Sequence, residues 1–280
     1  MLTTPNMRIV AAIARQELRI VLRNRWVVVY SAIFAVLTLA VSYFGLAVIE
    51  FTGFQEFNRT AVSLLNLVLY IVPLATMLMA VQSFRTEGGA TEQLFAEPVT
   101  LTEIVLGKLG GLVSAHVLAT ILGFSFTGIL VGTKVGVRGI SSYLALVGFT
   151  ILVGIAFLAL SSMFTILAHR GNRAYAVVLV AWFTMVLLFD LLIIGLSFVL
   201  PEALANRTAF ASVFLNPIDA TRVATLLAIS GREMFGPAGA QLVRLFGGVP
   251  EAIAMLLSAL AAWIVIPAVI GTISLSRQDL

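Results

Sequence analysis

The sequence predicts an all-α membrane protein with six transmembrane helices, and three observations carry that prediction. Of its 280 residues, 60% are hydrophobic and only 11% are charged. Most charges fall in the gaps between apolar runs, and each run is close to the roughly 20 residues that a helix needs to cross hydrocarbon. No run shows the two-residue alternation of a membrane β-barrel, so the backbone polar groups must be paired within helices.

The chain opens with Arg15, Arg19 and Arg23 at helical spacing, and Val10, Ala14, Leu18 and Val21 run along another side. This predicts an amphipathic helix over residues 1–25, lying on the inner membrane face. A continuous extension of the first span would satisfy the same arginines as a topology signal. A signal peptide fits less well, because the following apolar core is too long and Glu17 interrupts the basic stretch. The six spans of residues 26–280 are Trp26 to Ile49, Ala61 to Ser83, Leu109 to Val131, Tyr143 to Leu167, Ala174 to Val199 and Ala252 to Leu275.

Ten of the 17 Lys and Arg residues fall before the first span, in residues 84–108, around residue 170 or after the last span. The two short loops on the other side hold only Arg59, Lys134 and Arg138. The positive-inside rule then puts both termini in the cytoplasm of a plasma (inner) membrane. The net charge of +4 reflects this bias toward anionic lipid, so no nucleic acid partner is implied.

Several chemistries are excluded. The chain has no cysteine, which removes disulfides, thiolate metal sites and thiol nucleophiles. His116 and His169 have no partner at ligand spacing, and the eight methionines are better read as packing than as a soft-metal site. Gly107-Lys108 is followed by Leu109 and has no glycine cradle before it, so it is not a phosphate loop. Neither a zinc-protease motif nor a nucleophile elbow is present. The chain is therefore expected to be no enzyme, with any work driven by a partner or a gradient.

Residues 84–108, between the second and third spans, form the most informative segment. Gly88-Gly89 opens a short helix and Pro98 ends it, leaving Leu94 and Phe95 exposed among Glu92, Gln93 and Glu97. An apolar pair on a short polar helix suits a partner's groove, although a solvated connector has a similar composition. Asp190 is the ionisable residue inside a span, roughly 13 Å below the helix end at Val199. It reads as an interhelical lock, a proton site, a cation ligand or a hydrogen-bonded structural carboxyl, with Asn66 and the serines of the fourth span as candidate partners.

Residues 200–250 are too long for a simple connection and are expected to be a large extracytoplasmic loop with short helices. Asn216-Pro217 makes a turn, and Ile218, Thr221, Arg222, Thr225, Leu226 and Ile229 continue at helical spacing up to Gly231. Asp219 stands in the first turn, where a negative charge suits the helix dipole. Such a helix could cap the membrane domain or seat an external protein, which makes Asn216, Pro217, Asp219 and Arg222 candidate partner-facing residues.

Six spans, the N-terminal amphipathic helix, and Glu87-Gly88-Gly89 with Pro98 and Gly107-Lys108 downstream resemble permeases of the ABC-2 type, the type V exporter-like class of ATP-binding-cassette transporters. Leu22-Arg23-Asn24-Arg25-Trp26, Phe34-Ala35-Val36-Leu37, Trp182-Phe183, Phe189-Asp190-Leu191 and Leu215-Asn216-Pro217 with Asp219 and Arg222 narrow the likeness to permeases of complexes that mature nitrous oxide reductase in denitrification. The resemblance implies a homodimer of twelve spans and a separate ABC ATPase subunit that holds ATP and Mg, so that this chain binds no cofactor or metal itself. It implies docking of that ATPase through Glu87, Gly88, Gly89, Thr91, Glu92, Leu94, Phe95 and Pro98. It further implies a periplasmic or extracytoplasmic β-helical partner that serves assembly of the reductase's copper-sulfide centre. Ala90 after the glycines and the polar pair Glu92-Gln93 depart from the related loops. Export of a lipid, drug or other small solute is the alternative within the same class, and a secondary carrier is disfavoured because the two halves show no repeat.

Overall fold

A computed structural model describes residues 5–52, 55–85, 99–135, 137–168, 171–230 and 243–276, and every secondary-structure element within them is helical. Helix α1 (Met7–Arg23) begins at Asn6, whose side chain accepts a hydrogen bond from the Arg8 N–H, and it stops at Asn24. The long helices α2 (Arg25–Thr52), α3 (Gln55–Phe84), α4 (Leu101–Val135) and α5 (Val137–Ala168) follow. The next span is α6 (Gly171–Phe183), a π-helical turn at Thr184–Leu188, and α7 (Phe189–Val199). Helices α8 (Glu202–Leu215), α9 (Pro217–Ser230) and α10 (Val249–Ser276) complete the order.

Five helical stretches are long and apolar enough to cross a bilayer: Thr60–Phe84, Leu101–Thr133, Gly139–Ala168, Arg173–Val199 and Val249–Leu275. They coincide with five of the six expected spans and overrun some of them, because polar residues at the ends continue the helix. The expected first span lies within α2, in which Ser31–Phe44 is the described apolar stretch. Helices α8 and α9 are also apolar together, but they are bent by 95° at Asn216. Residues 200–230 are thus not a simple surface loop. Helix α9 turns back and packs against α5, α10 and α3.

Helix α5 is the hub, in contact with α3, α4, α6, α9 and α10. Within their most apolar stretches, α3 and α5 are each 61% buried, against 11% for α6–α7 and 17% for α10. The first two form the centre of the bundle, and the other two present most of their apolar surface outward. Lipid is as apolar as a leucine side chain, so packing and interhelical hydrogen bonds must hold such a bundle together. Ser161 Oγ donates to the Met77 carbonyl at 2.7 Å and ties α5 to α3. Thr38 Oγ1 donates to the Gly123 carbonyl at 3.1 Å, where the absence of a side chain on Gly123 admits the Phe34 ring. Phe34, Phe124 and Tyr143 then stack edge to face, with centroids 5.2 and 5.8 Å apart, and the Tyr143 hydroxyl donates to the Phe124 carbonyl.

His116 sits on α4 and is fully enclosed, 1% exposed. A Cβ on Gly154 of α5 would fall 2.0 Å from its Nε2, so only glycine leaves room for the imidazole. This histidine is a packing element, and among the described residues no three His, Asp or Glu side chains gather as a metal site.

Candidate functional site

Two regions of the bundle concentrate polar side chains. The first surrounds the expected docking segment. Residues Glu87, Gly88, Gly89, Thr91, Glu92, Leu94, Phe95 and Pro98 lie outside the described residues, but the chain on either side of them is anchored. On the N-terminal side, the Arg85 guanidinium donates to the Tyr175 hydroxyl at 3.3 Å and lies over that ring at 5.1 Å, which ties the end of α3 to α6. On the C-terminal side, Thr100 and Glu103 form a reciprocal capping box at the start of α4: the Thr100 N–H donates to Glu103 Oε2 at 2.8 Å and the Glu103 N–H to Thr100 Oγ1 at 3.3 Å.

The same carboxylate also holds α1. Its Oε1 accepts the Asn6 N–H at 2.7 Å, so one side chain caps α4 and fixes the start of α1. One turn on, a Cβ at Gly107 would meet Ile13 at 2.6 Å, and a further turn on, a Cβ at Gly111 would meet Glu17 Cβ at 2.5 Å and the Ala14 carbonyl at 2.7 Å. Glu103, Gly107 and Gly111 recur every four residues, so they form one stripe of α4 along which α1 lies in backbone contact. The apolar stripe of α1 assigned above to the membrane face is thus turned against protein, with Ile13, Glu17 and Val21 buried and Arg8, Arg15, Arg19 and Arg23 exposed.

The second region surrounds Asp190. Counting 1.5 Å per residue from Tyr175, it lies roughly 22 Å further along the α6–α7 span, toward the other side of the bundle. The π-helical turn at Thr184–Leu188 comes just before it. Such a turn adds a residue to the helix and rotates everything beyond it by roughly 100°. Asp190 Oδ2 faces Arg222 Nη1 of α9 at 3.2 Å, and the same Nη1 is 2.9 Å from Asp219 Oδ1. One guanidinium therefore bridges two carboxylates from different helices. The side chains are 33%, 27% and 12% exposed for Asp190, Arg222 and Asp219, which makes this a half-buried cluster. The partner of Asp190 is thus neither Asn66, which is exposed on α3, nor a serine of α5.

Asn216 makes the second tie. Its Oδ1 accepts the Ile218 N–H at 2.9 Å, capping α9, and its Nδ2 donates to the Met185 carbonyl at 2.7 Å inside the π-helical turn. Pro217 fills the first helical position, where no N–H is needed. On the other side of the bend, Trp263 Nε1 of α10 donates to the Phe214 carbonyl at 3.1 Å. Asn216, Pro217 and Asp219 are buried within the chain and Arg222 is half-buried, which corrects their reading as partner-facing residues. Their polar atoms are already engaged by α7, α9 and the π-helical turn. The exposed surface nearby belongs mostly to α8, where Leu204 and Leu215 are 48% and 63% exposed.

The chain's sequence from residue 11 to residue 280 matches the family model described as "ABC-2 family transporter protein". The chain belongs to that family. Two relatives, each described as "Probable ABC transporter permease protein NosY", are similar over nearly all of it. The protein from Pseudomonas aeruginosa is 31% identical over 263 residues, covering 92% of this chain and 94% of the relative. The protein from Stutzerimonas stutzeri is 33% identical over 259 residues, covering 90% and 92%. The chain is thus a multi-pass ABC-2 permease subunit, which is not itself the catalytic chain, and its family implies an ATPase partner.

Sequence reasoning missed Glu103 and Gly111, and it named Gly107 without its contact to α1. Their signals were present as Thr-x-x-Glu at 100–103 and Gly-x-x-x-Gly at 107–111.

Proposed function

We propose that this permease works as a homodimer in the plasma membrane, with both termini cytoplasmic, and passes the motion of a separate ATPase to a protein on the outer face. The ATPase, which binds ATP and Mg, docks on the segment that contains Leu94 and Phe95. Closure of the ATPase pair displaces that segment, and the anchors at Arg85 and Glu103 carry the displacement into α1, α3, α4 and α6. At the other side of the membrane, the Arg222 bridge and Asn216 oblige α9 to follow α7. The outer surface of the α8–α9 pair then transmits the movement to an extracytoplasmic partner of the β-helical kind, in support of copper-sulfide centre assembly in nitrous oxide reductase.

The bridging of Asp190 and Asp219 by Arg222 is the observation that carries the transmission reading. A guanidinium held between carboxylates of two helices suits a mechanical tie. The maturation reading rests on the motif resemblance and on the two relatives' description as NosY. Deleting the gene in a denitrifying host, with the wild-type gene resupplied as control, tests it. The expected result is normal reductase abundance with loss of the copper-sulfide centre and of nitrous oxide reduction. An intact centre would return the chain to general export of a lipid, drug or small solute.

A further inference from the structure

Turning the apolar stripe of α1 against α4 leaves its opposite face outward. That face carries Arg15, Arg19 and Arg23, one turn apart and all exposed, over a rise of about 12 Å. No carboxylate of a described residue pairs with any of the three. Glu17, the acidic residue of α1, is buried on the other side with Lys108 near it, and Glu103 accepts backbone N–H groups. Like charges one turn apart repel one another until an anion stands beside them.

The level of this face relative to the bilayer follows from α4. Its apolar stretch Leu101–Thr133 holds 33 residues, about 50 Å of helix against a hydrocarbon core of about 30 Å, so its ends reach beyond the hydrocarbon. The most apolar run begins at Leu109, directly after Lys108. Helix α1 climbs beside this end of α4: Asn6 meets Glu103, Ile13 meets Gly107, Glu17 meets Gly111, and Val21 packs with Leu112 and Ala115. Arg15, Arg19 and Arg23 are thereby brought level with residues 109–115, where hydrocarbon gives way to headgroups. Ile20 and Leu22 among them are exposed as well, and exposed Val28 and Val29 follow in α2.

We propose that the face of α1 carrying Arg15, Arg19 and Arg23 binds the phosphates of anionic phospholipids. An arginine at this level lays its aliphatic stem along acyl chains and puts its guanidinium among headgroups, where the planar fork matches phosphate oxygens. Guanidiniums and exposed apolar side chains at one level match a lipid leaflet, which offers phosphate and acyl chain together. An acidic protein surface would answer only the charges. Helix α1 is then held to α4 by its glycine contacts and to the bilayer by its arginines, with its apolar stripe facing protein.

The test is the preference of the full chain for phosphatidylglycerol over phosphatidylcholine, after reconstitution in an equal mixture of the two. Mass spectrometry of the lipids that co-purify with the re-extracted protein reads it. The wild-type chain should retain phosphatidylglycerol preferentially, and rising salt should weaken that preference. Arg19→Gln should lower it about fivefold, as expected for one basic side chain at an anionic surface, and glutamine at all three positions should remove most of it. Lysine at all three positions keeps the charge without the fork and should restore part of it. Equal retention of the two lipids by the wild-type chain, or a preference that salt does not weaken, would overturn the proposal whether or not the variants fold. An unchanged preference in the folded triple glutamine variant would also overturn it, and loss of ATPase co-purification in that same variant would give the face to an acidic surface of the ATPase.

Discussion

The contact of α1 with α4 and the contact of α7 with α9 both fasten a short helix to the bundle, by opposite means. At the first, glycines remove side chains so that backbones meet, and the capping carboxylate of Glu103 adds a directed bond. At the second, side chains reach across a wider gap, through a shared guanidinium and an asparagine that caps one helix while bonding another. Close packing has one favourable geometry and fails steeply when anything is inserted. Polar bridges are weaker singly, because half-exposed charges are screened, but they can break and re-form as helices shift. Helix α1 is therefore held to α4 as one body, and α9 is held to α7 by polar ties that keep the two together while tolerating small shifts.

Substitutions that cross the two designs should break this contrast in order of size. Gly111→Leu drives a side chain into Glu17 and the Ala14 carbonyl and should destabilise the detergent-solubilised protein by about 3 kcal/mol. Thermal unfolding would report that loss, and limited proteolysis would report release of α1. Gly154→Ala collides with His116 and should cost about 2 kcal/mol, with His116→Ala in the same chain restoring part of it. Asn216→Ala removes both the cap of α9 and the partner of the Met185 carbonyl, for another loss of about 2 kcal/mol. Asn216→Asp keeps the cap alone and should recover about half of that loss. Arg222→Ala leaves two carboxylates without their shared cation and should lower stability by only about 1 kcal/mol, since the cluster is half exposed. Asp190→Asn, which keeps shape but not charge, should change stability by about 0.5 kcal/mol or less.

The spans were legible because twenty apolar residues in a row have few other uses, and α3, α4, α5, α6–α7 and α10 lie where those runs fall. The helix after Asn216-Pro217 was legible too, since an asparagine cap followed by proline at the first helical position marks a start. The π-helical turn at Thr184–Leu188 was not, because one added residue inside a uniformly apolar run changes no pattern that periodicity can detect. Without that rotation, the partner of Asp190 could not be found from spacing, and Arg222 lies 32 residues away across a 95° bend. The candidate site was legible as residue types and misread as a display surface. Asp219 and Arg222 stand three apart on one helix, a pairing that spacing allows, whereas only the fold brings Asp190 to the same guanidinium.

The central claim, that the Arg222 bridge carries motion from the ATPase side to the outer face, is tested most directly by Arg222→Ala in a denitrifying host lacking the native gene. The measurement is copper-sulfide centre content of the purified reductase, taken alongside membrane abundance of the permease and co-purification of its ATPase. The account predicts normal permease abundance and ATPase association, with the copper-sulfide centre largely missing. A fully assembled centre in that strain would contradict it.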